Sequence, residues 1–158
     1  MFKKILVPLD GSELAAKILP QVVDVAKCHG AEVVLLNVYT DWGVPTSEEV
    51  KTVIEIEINK CQTALAATAK DLQAQGLKVT MDCITGDPAQ KIIAYAEEKN
   101  MDLIAMATHG MGEVAWVLGS VAEKVVSHAP VPVLLIRVLK SKPLFKTDFL
   151  DLLDRGIP

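Results

Sequence analysis

An open α/β fold, a five-stranded parallel sheet with helices on both faces, is the class this sequence predicts. Three observations predict it. Short runs of Val, Ile and Leu recur without polar alternation, as in strands covered on both faces. Between them lie longer segments with apolar residues every three or four positions, the mark of helices that bury one stripe. The composition agrees: 158 residues, 51% hydrophobic and only 4% aromatic, make one domain with an aliphatic core.

The elements follow in order. Residues 1–9 (MFKKILVPL) carry two lysines and an apolar run too short for a signal peptide, so Ile5-Leu6-Val7 reads as the first strand. Ser12 is a plausible N-cap for a helix whose stripe is Leu14, Ile18, Val22 and Val25, and Gly30 stops it. Pro20 falls inside that helix and should bend it. Val33 to Leu36 is the second strand, and Ser47 opens a long helix striped by Val50, Ile54, Ile58, Cys61 and Leu65, with Gly76 beyond its end. Val79 to Ile84 is the third strand. Asp87 and Pro88 are an N-cap and first-turn pair for a helix carrying Ile92, Ile93 and Ala96. Leu103 to Met106 is the fourth strand, Val114, Leu118, Val121 and Val125 mark the fourth helix, and Val131 to Val138 is the fifth strand. This alternation requires right-handed crossovers and a parallel sheet.

Residues 1–138 thus read as one domain, and 139–158 as a C-terminal extension. Lys140, Lys142, Pro143 and Lys146 suggest an extended exit, and Asp148 to Asp154 a short amphipathic helix with Phe149, Leu152 and Leu153 on one side. It would pack on its own domain or a partner subunit, or serve as a docking peptide. A net charge of −4 offers no bulk attraction to nucleic acid or to anionic lipid, so neither is an expected partner. No stretch reaches bilayer length. Cys28, Cys61 and Cys83 are widely spaced without a C-x-x-C, which predicts buried free thiols in a reducing cytoplasm and neither disulfide nor zinc site.

Ligands in open parallel sheets bind beyond the carboxyl ends of the strands, where strand order reverses. Asp10, in Val7-Pro8-Leu9-Asp10-Gly11-Ser12, can accept from a ribose, hold a divalent metal beside phosphates, or simply satisfy the N–H groups opening the first helix. After the fourth strand, Met106-Ala107-Thr108-His109-Gly110-Met111-Gly112 leads to Gly119-Ser120 at the last helix. This is a phosphate cradle in principle, with Ser120 as a cap and a hydroxyl donor, although it is neither a Walker A sequence nor G-x-G-x-x-G. His109 either contacts phosphate or fills a turn. Near the second strand's end, the Val38 backbone can pair with an adenine edge and Trp42 can lie over the pocket. His29 and His128 read as solvated groups at helix ends. No catalytic triad and no metal-spaced histidine pair is evident, and with few aromatics a flavin is a weak reading.

Five stretches in register, K-K-I-L-V-P-L-D-G-S, Gly86-Asp87-Pro88-Ala89, A-T-H-G, L-G-S-V-A-E-K-V and H-A-P-V-P-V-L-L-I-R, resemble universal stress proteins over about residues 2 to 138. The resemblance implies a Rossmann-like sheet of order 3-2-1-4-5 and a homodimer paired through the last strand, about Val131 to Arg137. It implies two branches, one binding ATP through G-x-x-G, a spacer and G-S or G-T. Ala107, Gly110, Gly119 and Ser120 stand at those positions, and Pro8, Asp10 and Val38 at others, with Leu9, Met106, His109, Val121 and Ala122 beside them. Ala107 replaces the first glycine, and the spacer is one residue short. The expectation is an adenine nucleotide, ATP foremost with AMP or ADP as variants, held with or without Mg: Val38 on the base, Asp10 near ribose or metal, and Gly110, Gly119, Ser120 and Val121 on phosphates. Hydrolysis would be slow or absent, with no catalytic residue, and the protein would work as a cytoplasmic stress sensor or regulator with an unidentified protein partner. The alternatives are a non-binding dimeric interaction protein of the same fold and a slow ATPase.

Overall fold

The computed structural model describes residues 1–40, 48–109 and 118–138; between 48 and 57 only the side chains of Glu55 and Ile56 are described. The elements run β1 (Lys4–Pro8), α1 (Glu13–Ala16), α2 (Leu19–His29), β2 (Glu32–Tyr39), α3 (Glu48–Ala74), β3 (Val79–Thr85), α4 (Pro88–Glu98), β4 (Leu103–Ala107), α5 (Ser120–His128) and β5 (Val133–Ile136). All strand pairs are parallel and the order is β3-β2-β1-β4-β5, as predicted.

Alternation along each strand builds two cores. Ile5, Val7, Val33, Leu35, Leu103 and Ala105 face one side, where Ile18 ahead of α2, Val22 and Ala26 of α2, and Leu65 and Leu72 of α3 cover them. Leu6, Val34, Leu36, Ile104 and Met106 face the other, under Ile92 and Ala96 of α4 and Ala122 and Val125 of α5. Register aligns the layers: Ile5 lies beside Val33 on one flank and Leu103 on the other. Burying both sheet faces is what makes the central strands β1 and β4 unbroken apolar runs in the sequence, whereas the edge strand β3, with Thr80 and Asp82, is only partly covered.

Three expectations change. The first helix is two helices. Pro20 has no N–H to donate to Ala16, so α1 ends there and a new ladder begins with Val22 N–H on Ile18 O at 3.0 Å, Pro20 sitting in the first turn of α2. The cysteines are not three buried free thiols: Cys61 on α3 and Cys83 on β3 form a disulfide, and Cys28 is free and exposed. The pair is brought together by helix packing, which spacing along the chain does not reveal. Ser120 is not the cap of α5: Gly119, in extended backbone with φ −57 and ψ 143, takes that position and Ser120 is the first helical residue.

Other boundaries follow their chemistry. Ser12 Oγ accepts the Ala15 N–H at 3.0 Å, Asp87 Oδ1 accepts the Gln90 N–H at 2.9 Å, and Gly30 closes α2 in the left-handed region at φ 63. Residue Ser47, residues 41–42 with Trp42, Gly110 to Val117 and the extension from Leu139 to Pro158 lie outside the described residues.

Candidate nucleotide site at the switch point

β1 and β4 are sheet neighbours whose onward connections leave in opposite directions, so their carboxyl ends flank a crevice between the two helical layers. A cavity of about 250 Å³ lies there. Its wall draws on both cores: Leu9, Ala15 and Ala107 belong to one, and Leu36, Val38, Ile92, Met106, Val121 and Ala122 to the other. Pro8, Asp10, Pro88, Thr108, His109 and Gly119 complete it.

Of the residues expected from sequence, Pro8, Leu9, Asp10, Val38, Met106, Ala107, His109, Gly119, Val121 and Ala122 line this cavity together. Ser120 does not, and Gly110 lies outside the described residues. Ala15, Leu36, Pro88, Ile92 and Thr108 were not expected. Signals for some of them existed. Leu36 precedes Val38 by two and shares its face, Ile92 is one turn beyond Pro88, and Thr108 stands between Ala107 and His109.

The polar groups are few and held in place. Gly11, at φ 81, turns the chain so that Asp10 Oδ1 accepts both the Ser12 N–H at 2.9 Å and the Ser12 hydroxyl at 2.6 Å. Ser12 Oγ in turn receives the Ala15 N–H, so a carboxylate, a hydroxyl and a cavity-lining residue form one chain of hydrogen bonds. Thr108 and His109 are buried, with His109 Nδ1 at 2.8 Å from Thr108 Oγ1. The Thr108 backbone donates to Ile136 O and accepts from Gly119 N–H, each at 3.0 Å, which fixes the start of α5 against the end of β4. The first intrahelical bond of α5 is Glu123 N–H to Gly119 O. The N–H groups of Ser120, Val121 and Ala122 are therefore the ones the helix leaves without intrahelical partners, at its positive end. Gly119 has no side-chain cap that competes for them.

Among the described residues no cluster of three His, Cys, Asp or Glu side chains has the geometry to hold a metal. Asp10 is the one carboxylate on the described wall, which suits a magnesium ion only as a companion to phosphates. The opposite end of the sheet is charged for structural reasons. A hydrogen bond from Lys78, at 2.8 Å, holds the Glu32 carboxyl below its ordinary range, and the Lys3 and Lys4 backbone N–H groups do the same for Asp102. Elsewhere, burial and then the neighbouring Asp82 raise the Tyr95 phenol. No helix among the described residues is long and apolar enough to cross a membrane.

Known proteins share this architecture. The Universal stress protein MJ0531 of Methanocaldococcus jannaschii is 33% identical over 146 residues, spanning 90% of this chain and 86% of that one. The solved structure of MJ0577 from the same organism superposes with a TM-score of 0.81 at 30% identity, over 89% of this chain and 99% of that one. A universal stress protein solved in complex with cAMP shares the fold, with a TM-score of 0.66 at 18% identity over 87% of this chain and 98% of that one. Residues 1–137 match the family described as Universal stress protein family, and the chain belongs to it.

Proposed function

We propose that this protein binds an adenine nucleotide, ATP foremost, at the carboxyl ends of β1 and β4, and acts as a dimeric stress-response sensor or regulator. The observation that carries the reading is the cavity at the switch point, walled by ten residues that the sequence nominates for a nucleotide. Its apolar sides from Leu36, Val38, Ile92 and Met106 suit the faces of a flat base, and the Val38 backbone suits its edge. At about 250 Å³ it lies just under the usual range of small-molecule pockets, roughly 300 Å³ upward. On this reading the apolar sides hold the nucleoside, with the phosphate tail beyond it on the α5 side. That tail would run toward the N–H groups of Ser120, Val121 and Ala122, which suit an anion. Ala107, where the ATP-binding pattern has its first glycine, is one of the lining residues.

The same reading makes turnover slow. On the described wall, the bonds of Asp10 Oδ1 with Ser12 and the contact of His109 Nδ1 with Thr108 commit those two atoms to structural partners. The dimer would form through β5, a four-residue, half-buried strand at one end of the sheet order. An edge strand pairs readily with a copy of itself. A change in nucleotide occupancy would then alter a surface close to the dimer seam, because α5 carries the cavity wall and packs beside β5.

Native mass spectrometry of the full chain, with ATP and magnesium and then with AMP or cAMP, tests this. The expected species is a dimer holding one adenine nucleotide per chain, lost in Gly119→Glu, which sets a carboxylate where the phosphates would lie. Gly119 has a negative φ, so that side chain enters without backbone strain. A chain that ignores every nucleotide overturns the binding reading, and a monomer at micromolar concentration overturns the dimer.

A further inference from the structure

The long helix α3 is anchored unevenly. Leu65, Ala69 and Leu72 are buried on the sheet, at steps of four and three. One step of four toward the amino end stands Cys61, partly buried and bonded to Cys83. Beyond it Glu55, Asn59 and Lys60 are exposed, Ile56 is 48% exposed, and Ile58 is half-buried but outside the core cluster. The helix continues to Glu48, which at 1.5 Å per residue is about 20 Å past Cys61. Cys61 is therefore the outermost described residue of α3 packed against the core.

Its other end is equally placed for exchange. Cys83 lies on β3, the strand at the far end of the sheet order, and pairs through its backbone with Asn37 of β2. Both cysteines are only partly buried, and on the same strand Met81 is 43% exposed. The disulfide thus sits at the margin of the core and of the sheet, only partly covered, and exposure of this kind favours exchange with a thiolate.

We propose that Cys61–Cys83 is a reversible redox site whose co-reactant is a dithiol, and that its state sets whether the amino-terminal half of α3 is held to the sheet. A thiolate of the dithiol attacks one sulfur and breaks the Cys61–Cys83 bond, leaving a mixed disulfide and one free protein thiol. The second thiol of the reductant then displaces the other protein sulfur. Two electrons and two protons pass to the protein as Cys61 and Cys83 thiols, and the dithiol leaves as its cyclic disulfide. Reduction releases α3 from Glu48 to Lys60 while the Leu65–Leu72 anchor stays seated. None of this depends on the nucleotide reading.

The test uses the full chain with Cys28→Ser, which removes the exposed thiol. The protein is incubated with oxidised glutathione, then divided, and one half is treated with dithiothreitol. Denaturing alkylation with N-ethylmaleimide should add nothing to the untreated half and two groups to the treated one. Hydrogen exchange should then show amides of residues 48–60 exchanging about tenfold faster after reduction, with residues 65–74 changing less than about twofold. Cys61→Ser should reproduce the reduced pattern, and reoxidation of the treated half should reverse it. Two alkyl groups on the oxidised half, or the same exchange at residues 48–60 in both states, would overturn the proposal.

Discussion

Asp10 stands on the cavity wall, yet its bonds to Ser12 point to a structural duty, and removing it separates the two. Asp10→Ala deletes the acceptor of the Ser12 N–H at 2.9 Å and of the Ser12 hydroxyl at 2.6 Å. A charged acceptor contributes about 1.5–3 kcal/mol per bond in sheltered sites. Asp10 is exposed, so water replaces much of that, leaving about 1–2 kcal/mol for the pair. Ser12→Ala removes the same hydroxyl bond and the cap on Ala15, at about 1 kcal/mol. Because the two substitutions share a bond, the double variant should lose less than the sum by about 0.5–1 kcal/mol. At about 2–4 °C per kcal/mol for a chain of this length, Asp10→Ala should lower Tm by roughly 3–6 °C. Thermal unfolding of the four proteins by circular dichroism measures this. A fully additive double variant, or an Asp10→Ala Tm within about 1 °C of the parent, would refute the hydrogen-bond chain.

Three further outcomes follow from named contacts. Asp102 accepts the Lys3 and Lys4 backbone N–H groups at 2.7 and 2.9 Å, and its folded pKa lies below the ordinary 3.8. Its stabilisation is thus present above that value and fades as pH falls through the folded value. Asp102→Asn should therefore cost most near neutrality and least in acid, as urea midpoints across pH 2.5 to 7 would report. Asp87→Ala should destabilise by about 1 kcal/mol through loss of the α4 cap. It should also weaken the proposed binding of an adenine nucleotide, since Pro88 and Ile92 line the cavity; titration calorimetry checks the second effect. Reduction of Cys61–Cys83, 22 residues apart, should lower global stability by about 3 kcal/mol through the freed unfolded chain, read in denaturant titrations with and without dithiothreitol.

The parts of the fold legible in the sequence are those decided locally. Val33 to Leu36 announces a strand because both of its faces are buried, and Asp87-Pro88 and Gly30 announce helix ends because their own backbone preferences set them. Pro20 carried its signal as well, but the choice between a bend and a break depends on whether the chain can restart. It does so here with Ile18 O accepting the Val22 N–H. Most of the cavity wall was named in advance because the loops after the first and fourth strands carry motifs, and the family resemblance supplied positions such as Val38. What the sequence hid is set across space. Ile92 reaches the cavity because α4 lies across the same face as Val38, and Cys61 meets Cys83 because α3 crosses β3 one step beyond Leu65. No spacing along the chain encodes either meeting.

The break between α1 and α2 has a mechanical consequence. α2 is keyed into the core by Val22, Val23 and Ala26, whereas α1 is one four-residue turn whose Ala15 forms part of the cavity wall. The joint is not loose: Ile18 is fully buried, and the Lys17 and Ile18 N–H groups still donate to Leu14 O and Ala15 O. Ala15 is itself buried in the same core as Val22 and Ala26. A molecule entering beside Ala15 therefore presses on a wall footed directly on the packing that seats α2, so the break redirects the chain without uncoupling the cavity from the core.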